Sequence, residues 1–520
     1  MAEYLDLVMI VALCGGLLLG YPVALTLIGL SVLFAGLGWG LGVFDATLLG
    51  ATGQRLFGIL TNTVLIAIPM FVFMGIVLEK SGIAEGLLTT MGRLFGRLRG
   101  GLGVSVILVG ALLAASTGIV GATVVAMGLI ALPTMLRNRY DAKLASGIVC
   151  TAGTLGQIIP PSTLLIILSD VMSNAYQQAQ FTAGKFTVET ISVGQTFAAA
   201  LVPGLVLVAL YIVYTLGRAW LQPASAPAVA ADTEAPIDMR GLLTTLGTPL
   251  ILIVAVLGSI LGGLATPTEA ASVGAVGALF LAAFRVSSDA RIRRLLYIGL
   301  GALALLAVLA TVAPVRLQRG DLTSTDIAIG AVGSVFAVVG LLAVGITVWR
   351  ALRADIMRPV VTETMSISAM IFTTIIAASV FALVFRGLGG DERVQEILAA
   401  LPGGPTESLI FVMLLIFLLG FFLDFVEISI IVLPLVVPGL ILMGHDPIWL
   451  SVLIAINLQT SFLTPPFGFS LFYLRGVAPK EVSTGQIYLG VLPFIALQVV
   501  AVVVIWHLPD LATLLPGLLF

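Results

Sequence analysis

Residues 153–163 read GTLGQIIPPST, with two consecutive prolines set between the apolar stretches LASGIVC and LLIILSD. Proline has no amide hydrogen, and a helix in lipid must satisfy every backbone donor and acceptor within itself. Non-helical backbone survives at membrane depth only under cover of protein or a water-filled cavity. The stretch therefore predicts a membrane helix with a built-in break and other elements packed over it. A second double proline, in SFLTPPFGFSLFYL at residues 461–474, repeats the feature near the end of the chain.

Composition makes these runs membrane spans. Of 520 residues, 59% are hydrophobic and only 10% charged, and apolar stretches recur to the end. The expectation is an all-α polytopic protein in a lipid bilayer. A net charge of −2 supplies no basic face for a nucleic acid. Cys14 and Cys150 both sit inside apolar runs and read as small buried hydrophobes. With His445 and His507 the only histidines, no transition-metal site is expected; His445, in GHDP, reads as a loop residue. The start, MAEYLDLVMI, lacks the basic residues of a signal peptide and reads as a first span. There is no G-x-x-x-x-G-K-[ST] to cradle a nucleotide phosphate, so any pumping draws on an ion gradient or another subunit. No cofactor, nucleophile or metal set is found, and an intramembrane enzyme is the remote alternative.

The chain repeats itself. VGQTFAAALVP (193–203) returns loosely as TGQIYLGVLP (484–493), and GYPVALTLIGLSVLFAG (20–36) resembles ATPTEAASVGAVGALFLA (265–282). Pro22 and Pro267 are 245 apart, whereas Pro160 and Pro465 are 305 apart, so the second half carries an insertion of 60. Residues 286–357 supply it as two further apolar runs, about 20 residues each being enough for a span. The expected organisation is a first repeat over 1–222, a cytoplasmic linker over 223–241 rich in Pro and Ala, and a second repeat over 242–520.

Loop charges give orientation. The block 101–136 lies between Arg93, Arg97 and Arg99 on one side and Arg137, Arg139 and Lys143 on the other, so both its ends are cytoplasmic. It is too long for one span, and its middle, AASTGIVGAT, is small and polar; it reads as a re-entrant hairpin with its tip near Ser116, Thr117 and Gly118. The counterpart, 407–443, has no Lys or Arg at either end and should enter from the opposite side. Each hairpin precedes a broken helix, 144–170 and 448–474. About twelve spans plus two hairpins result, with both termini periplasmic. Two halves inserted upside down relative to one another are a mark of alternating-access secondary transporters.

A broken helix offers a positive N-terminal end and bare carbonyls at the midplane, suited respectively to a carboxylate and a sodium ion. The candidates are Gly153, Thr154, Gly156, Gln157, Pro160, Pro161 and Ser162 in the first break, and Asn457, Thr460, Thr464, Pro465, Pro466 and Gly468 in the second. Asp424 and Glu427 are carboxylates in an apolar stretch, where each costs about 2.5 to 3.5 kcal/mol to insert and usually marks an ion path. At i, i+3 they would share one helical face if the tip is helical there. Glu269, in TPTEAAS, reads equally as an interfacial residue or as a helix-start charge following Thr266 or Thr268.

In this order, TGIVGATVVAMGLIALP, AGTLGQIIPPS, TPTEAASVGA and NLQTSFLTPPFGFSLFYL resemble the large membrane (permease) subunit of TRAP transporters, the tripartite ATP-independent periplasmic transporters, over nearly the full length. The resemblance implies a bacterial inner-membrane, sodium-coupled importer of an organic acid, a carboxylate. It further implies delivery by a periplasmic substrate-binding protein, a small membrane subunit of about four helices, and an elevator motion of hairpins and broken helices against a static scaffold. By residue, it puts the first tip on Ser116, Thr117 and Gly118, the second on 424–429, and the breaks on 153–162 and 457–468. Many members carry an acidic residue shortly after the first tip, where this chain has GATVVAMG. A stand-alone sodium or proton symporter of the same fold is the alternative.

Overall fold

The computed structural model describes residues 4–229, 239–287, 289–312 and 323–520, and among these every regular element is helical. Ten helices are long and apolar enough to cross a membrane, and six shorter apolar helices accompany them. Two of the ten, Val120–Arg137 and Phe425–Leu442, are second arms of hairpins. Both broken helices fall outside the ten because their halves are short or too polar. Of the linker, residues 230–238 lie outside the described residues. Its beginning is fixed: Val229, Gly100 and Asp141 amides bond to the carbonyls of Gly96, Ala226 and Ser225, respectively. The Gly100 and Asp141 amides of two neighbouring loops thus hold residues 225 and 226 in place.

Local chemistry starts the helices where the sequence changes. Asp141 and Asp446 cap the two broken helices, each carboxylate accepting an amide of the first turn. Ser192 with Gln195, and Ser483 with Gln486, form the same capping box at the starts of Val193–Leu221 and Thr484–His507. Glu269 is likewise a capping residue, accepting from the Thr266 amide at 2.8 Å.

Three exchanges of partner hold the core together. Val23–Gly40 packs on Met357–Gly387, and Pro267–Val286 on Thr63–Lys80. Ala142–Thr154 packs on Thr484–His507, and Pro447–Leu463 on Val193–Leu221. Val120–Arg137 packs on Phe469–Val477, and Leu433–Leu442 on Thr163–Thr182. In membranes such contacts rely on small residues that let backbones approach. A Cβ on Gly147 would run into the Gly490 carbonyl, and one on Gly153 would stand 3.1 Å from the Val124 backbone. The insertion, Ala290–Val312 and Ser324–Arg353, sits at the edge: 17% and 22% of their apolar windows are buried, against 56% for Thr63–Lys80.

Gly147→Val should lower the thermal midpoint of the detergent-purified protein by several degrees, overpacking costing about 1–3 kcal/mol. Gly301→Ala, at a position open to space, should leave it unchanged. Equal midpoints for the two would remove the Gly147–Gly490 contact as a packing constraint.

Candidate functional site

The first tip is set by one residue. Gly118 takes φ +60°, a left-handed conformation glycine adopts at little cost, and its amide donates to Ala114 at 2.9 Å, ending Gly101–Thr117. Ser116 and Thr117 form the last helical residues of that arm; their side chains lie outside the described residues. A Cβ on Gly118 would stand 2.8 Å from the Thr163 amide nitrogen, so the tip rests on the N-terminus of Thr163–Thr182. The second arm begins at Val120 with no side-chain cap from Ile119.

The first break is wholly buried. Ala142–Thr154 tightens into one 3₁₀ turn, Leu155–Gln157, and the chain then passes Pro160 and Pro161 before Ser162 caps the next helix. Ser162 Oγ accepts from the Leu165 amide (3.4 Å) and donates to the Gln157 carbonyl (2.8 Å). Thr154 Oγ1 donates to Thr151 and accepts from Gln459 Nε2 at 3.3 Å, which joins the two broken helices. Gly153 and Gly156 are packing positions, against Val124 and Ala114. These three lie at the helix crossing, away from open space.

The second tip corrects the expectation for its acids. Asp424 and Glu427 do not share a helical face: Asp424 stands outside the helix with ψ 161°, as the residue before its first turn. Its Oδ1 accepts from the Phe425 amide (2.7 Å), and Glu427 Oε2 accepts from the Asp424 amide (2.9 Å). A helix beginning in apolar surroundings leaves amides without partners, and the nearest carboxylates take them. In the second break, Asn457 Nδ2 donates to Met413 in the hairpin (2.7 Å), while the Thr460 and Thr464 hydroxyls bond to their own helix. Tyr488 donates to the Pro466 carbonyl, Phe467, following Pro465 and Pro466, packs on Phe421 and Phe422 of the tip, and Gly468 opens Phe469–Val477. Each tip therefore covers the break of its own half.

Between the tips lies a cavity of ≈350 Å³. One side is Ile119–Ala122, Thr163, Asp424 and Tyr473. The facing wall is Glu79 and Lys80 at the end of Thr63–Lys80, with Glu363, Ile367 and Met370 from Met357–Gly387. Lys80 Nζ is 2.8 Å from Glu363 and 3.4 Å from Glu79. Of the residues singled out from sequence, Asp424 is on the cavity wall and Gly118 touches it through Thr163. Sequence reasoning missed Glu79, Lys80, Glu363 and Tyr473: charges closing an apolar run look like ordinary interfacial residues. Several buried polar atoms near the tips have no hydrogen-bond partner among the described residues: both amide atoms of Gln157, Thr163 Oγ1, Ser429 Oγ and Gln459 Oε1.

An all-helical multi-pass protein with broken helices and hairpins around a cavity that carries charged side chains has the architecture of a membrane transporter. The solved structure of the Alcanivorax borkumensis YdaH transporter has the same fold, at TM-score 0.53 and 16% identity, covering 99% of this chain and 98% of that one. Neisseria gonorrhoeae MtrF aligns at TM-score 0.51 and 15% identity, covering 88% of this chain and 83% of that one. The chain belongs to the DctM component family of the tripartite ATP-independent periplasmic transporters, whose profile matches residues 7–330 and 324–511. Similar relatives include the C4-dicarboxylate TRAP transporter large permease protein DctM of Vibrio cholerae, 29% identical over 97% of this chain and 96% of that protein. The ectoine large permease TeaC of Halomonas elongata is 24% identical over 99% of both chains. The protein is thus a TRAP large permease, a subunit of a secondary transporter for organic substrates.

Gly118→Ala should abolish most uptake while the protein still purifies from membranes, because the left-handed turn costs an alanine about 1–2 kcal/mol and its methyl would push the tip off Thr163. Uptake within twofold of wild type would show that this tip contact is dispensable.

Proposed function

We propose that this chain is the large subunit of a bacterial inner-membrane importer that moves an organic acid with sodium, fed by a periplasmic binding protein and working beside a small membrane subunit. The observation that carries the reading is the first turn of Val120–Arg137. Its leading amides have no intrahelical acceptor and no side-chain cap, and Val120, Gly121 and Ala122 all face the cavity. Beside them is the partnerless Thr163 hydroxyl. Bare amides at a helix N-terminus suit a carboxylate. The Asp424 carboxylate on the cavity wall suits a hard cation such as sodium.

Inverted repeats are supported by the exchanged helix pairs: replacing each helix by its counterpart 245 to 305 residues away converts one packing contact into the other. The Thr154–Gln459 bond joins residues 305 apart, the same offset as the double prolines. An elevator motion is supported by polar ties between Thr163–Thr182 and the surrounding helices. Asn62 donates to Asp170 at 3.0 Å and Arg386 to Gln178 at 3.3 Å. These sit at the ends of Thr63–Lys80 and Met357–Gly387 opposite to Lys80 and Glu363. In the expected orientation, the ties are periplasmic and the cavity wall is cytoplasmic, one end state of alternating access.

Proteoliposomes carrying this chain and its small subunit should take up the acid that co-purifies with the binding protein only when that protein and an inward sodium gradient are present. Uptake without the binding protein would overturn the tripartite reading. Asparagine caps helices as well as aspartate, so Asp424→Asn should keep the fold yet raise the sodium concentration for half-maximal uptake at least tenfold. Glu427→Gln preserves its capping bond and should stay near wild type. Unchanged sodium dependence in Asp424→Asn would remove that residue from the cation path.

A further inference from the structure

The charges around the cavity point to a narrower substrate class, on the reading that this cavity receives the organic acid. Three carboxylates line it, Glu79, Glu363 and Asp424, and among the described residues lining it Lys80 is the one cation. Lys80 is already held by Glu363 at 2.8 Å and Glu79 at 3.4 Å, so its charge is spent within the wall. Of the two hairpin N-termini that meet here, the second is closed to anions, because Asp424 and Glu427 occupy its amides. The first remains bare at Val120–Ala122, next to the buried, partnerless Thr163 hydroxyl. One seat for one carboxylate is therefore present. A second carboxylate would face Glu79, Glu363 and Asp424, or apolar side chains such as Ile367, Met370 and Phe462. The volume, ≈350 Å³, lies near the small end of ligand sites.

We propose that the cavity takes a small organic acid with a single carboxylate and an uncharged, largely apolar remainder, and that Glu79 and Glu363, by neutralising Lys80, turn dicarboxylates away. This departs from what the names of the C4-dicarboxylate relatives would suggest.

The test is the thermal midpoint of the purified two-subunit membrane complex in sodium buffer, titrated with 4-methyl-2-oxopentanoate and with succinate. The midpoint should rise with the monocarboxylate and stay flat with succinate at equal concentration. In the Glu79→Gln/Glu363→Gln variant, which leaves Lys80 unpaired, succinate should become effective at a concentration at least tenfold lower than in wild type. Should that variant fail to purify, Glu363→Gln alone removes the shorter contact and should move the response in the same direction. An equal wild-type response to both acids, or no gain for succinate in the variants, overturns the proposal. Binding-protein-driven uptake in the same preparation separates the failures. Intact uptake with no response to the monocarboxylate overturns this inference alone, and absent uptake overturns the function it rests on.

Discussion

Helix ends that stop inside an apolar fold have nowhere to send their backbone hydrogen bonds, and the rest of this structure answers that constraint. Each double proline ends one helix and lets another begin within the protein, and each hairpin turn does the same. An unsatisfied amide or carbonyl in hydrocarbon costs several kcal/mol, so each end needs a partner or a cover. The hairpin tips provide the cover: Gly118 sits on Thr163, and Phe421 and Phe422 sit on Phe467. Placing those ends side by side is what brings Asp424 and the first turn of Val120–Arg137 to one cavity in a chain that is 59% hydrophobic.

Satisfaction is incomplete, and unevenly so. The second break is tied down by Asn457, Tyr488 and Ser470, each bonded to a backbone carbonyl. The first break is more deeply buried yet leaves both amide atoms of Gln157 without a partner. Buried polar atoms are normally paired, so a group left over on the cavity wall, as the Thr163 hydroxyl is, marks where water, an ion or a substrate completes the set. The structural and the functional roles of these residues therefore divide along hydrogen bonds. Thr154, already donating and accepting, locks two helices together, whereas Thr163, nearby and unpaired, has capacity to spare.

Much of this was legible in the sequence because its signals are strong and local. A double proline cannot continue a helix, and basic residues at both ends of 101–136 mark a segment that returns to the side it came from. The cavity's far wall was not legible. Glu79 and Lys80 close an apolar run as hundreds of interfacial charges do, and only the fold brings Glu363 to them across almost 300 residues. Asp424 and Glu427 were legible but misread. D-x-x-E ahead of an apolar run is a capping box, and the helical-face reading assumed a helix already under way at its first residue.

That capping box also sets the second hairpin apart from the first. Asp424 is 305 residues from Ile119 and Glu427 is 305 from Ala122, the same offset that relates the double prolines. Ile119 precedes the second arm of the first hairpin as Asp424 does in the other. The equivalent positions therefore hold I-V-G-A in one half and D-F-V-E in the other. With the acids present, the helix caps itself and Asp424 brings a carboxylate to the cavity wall. With isoleucine and alanine in their places, the same turn of backbone keeps its amides bare, a surface for anions. Both kinds of helix end line one cavity, and the difference between them comes down to two residues, Ile119 against Asp424 and Ala122 against Glu427.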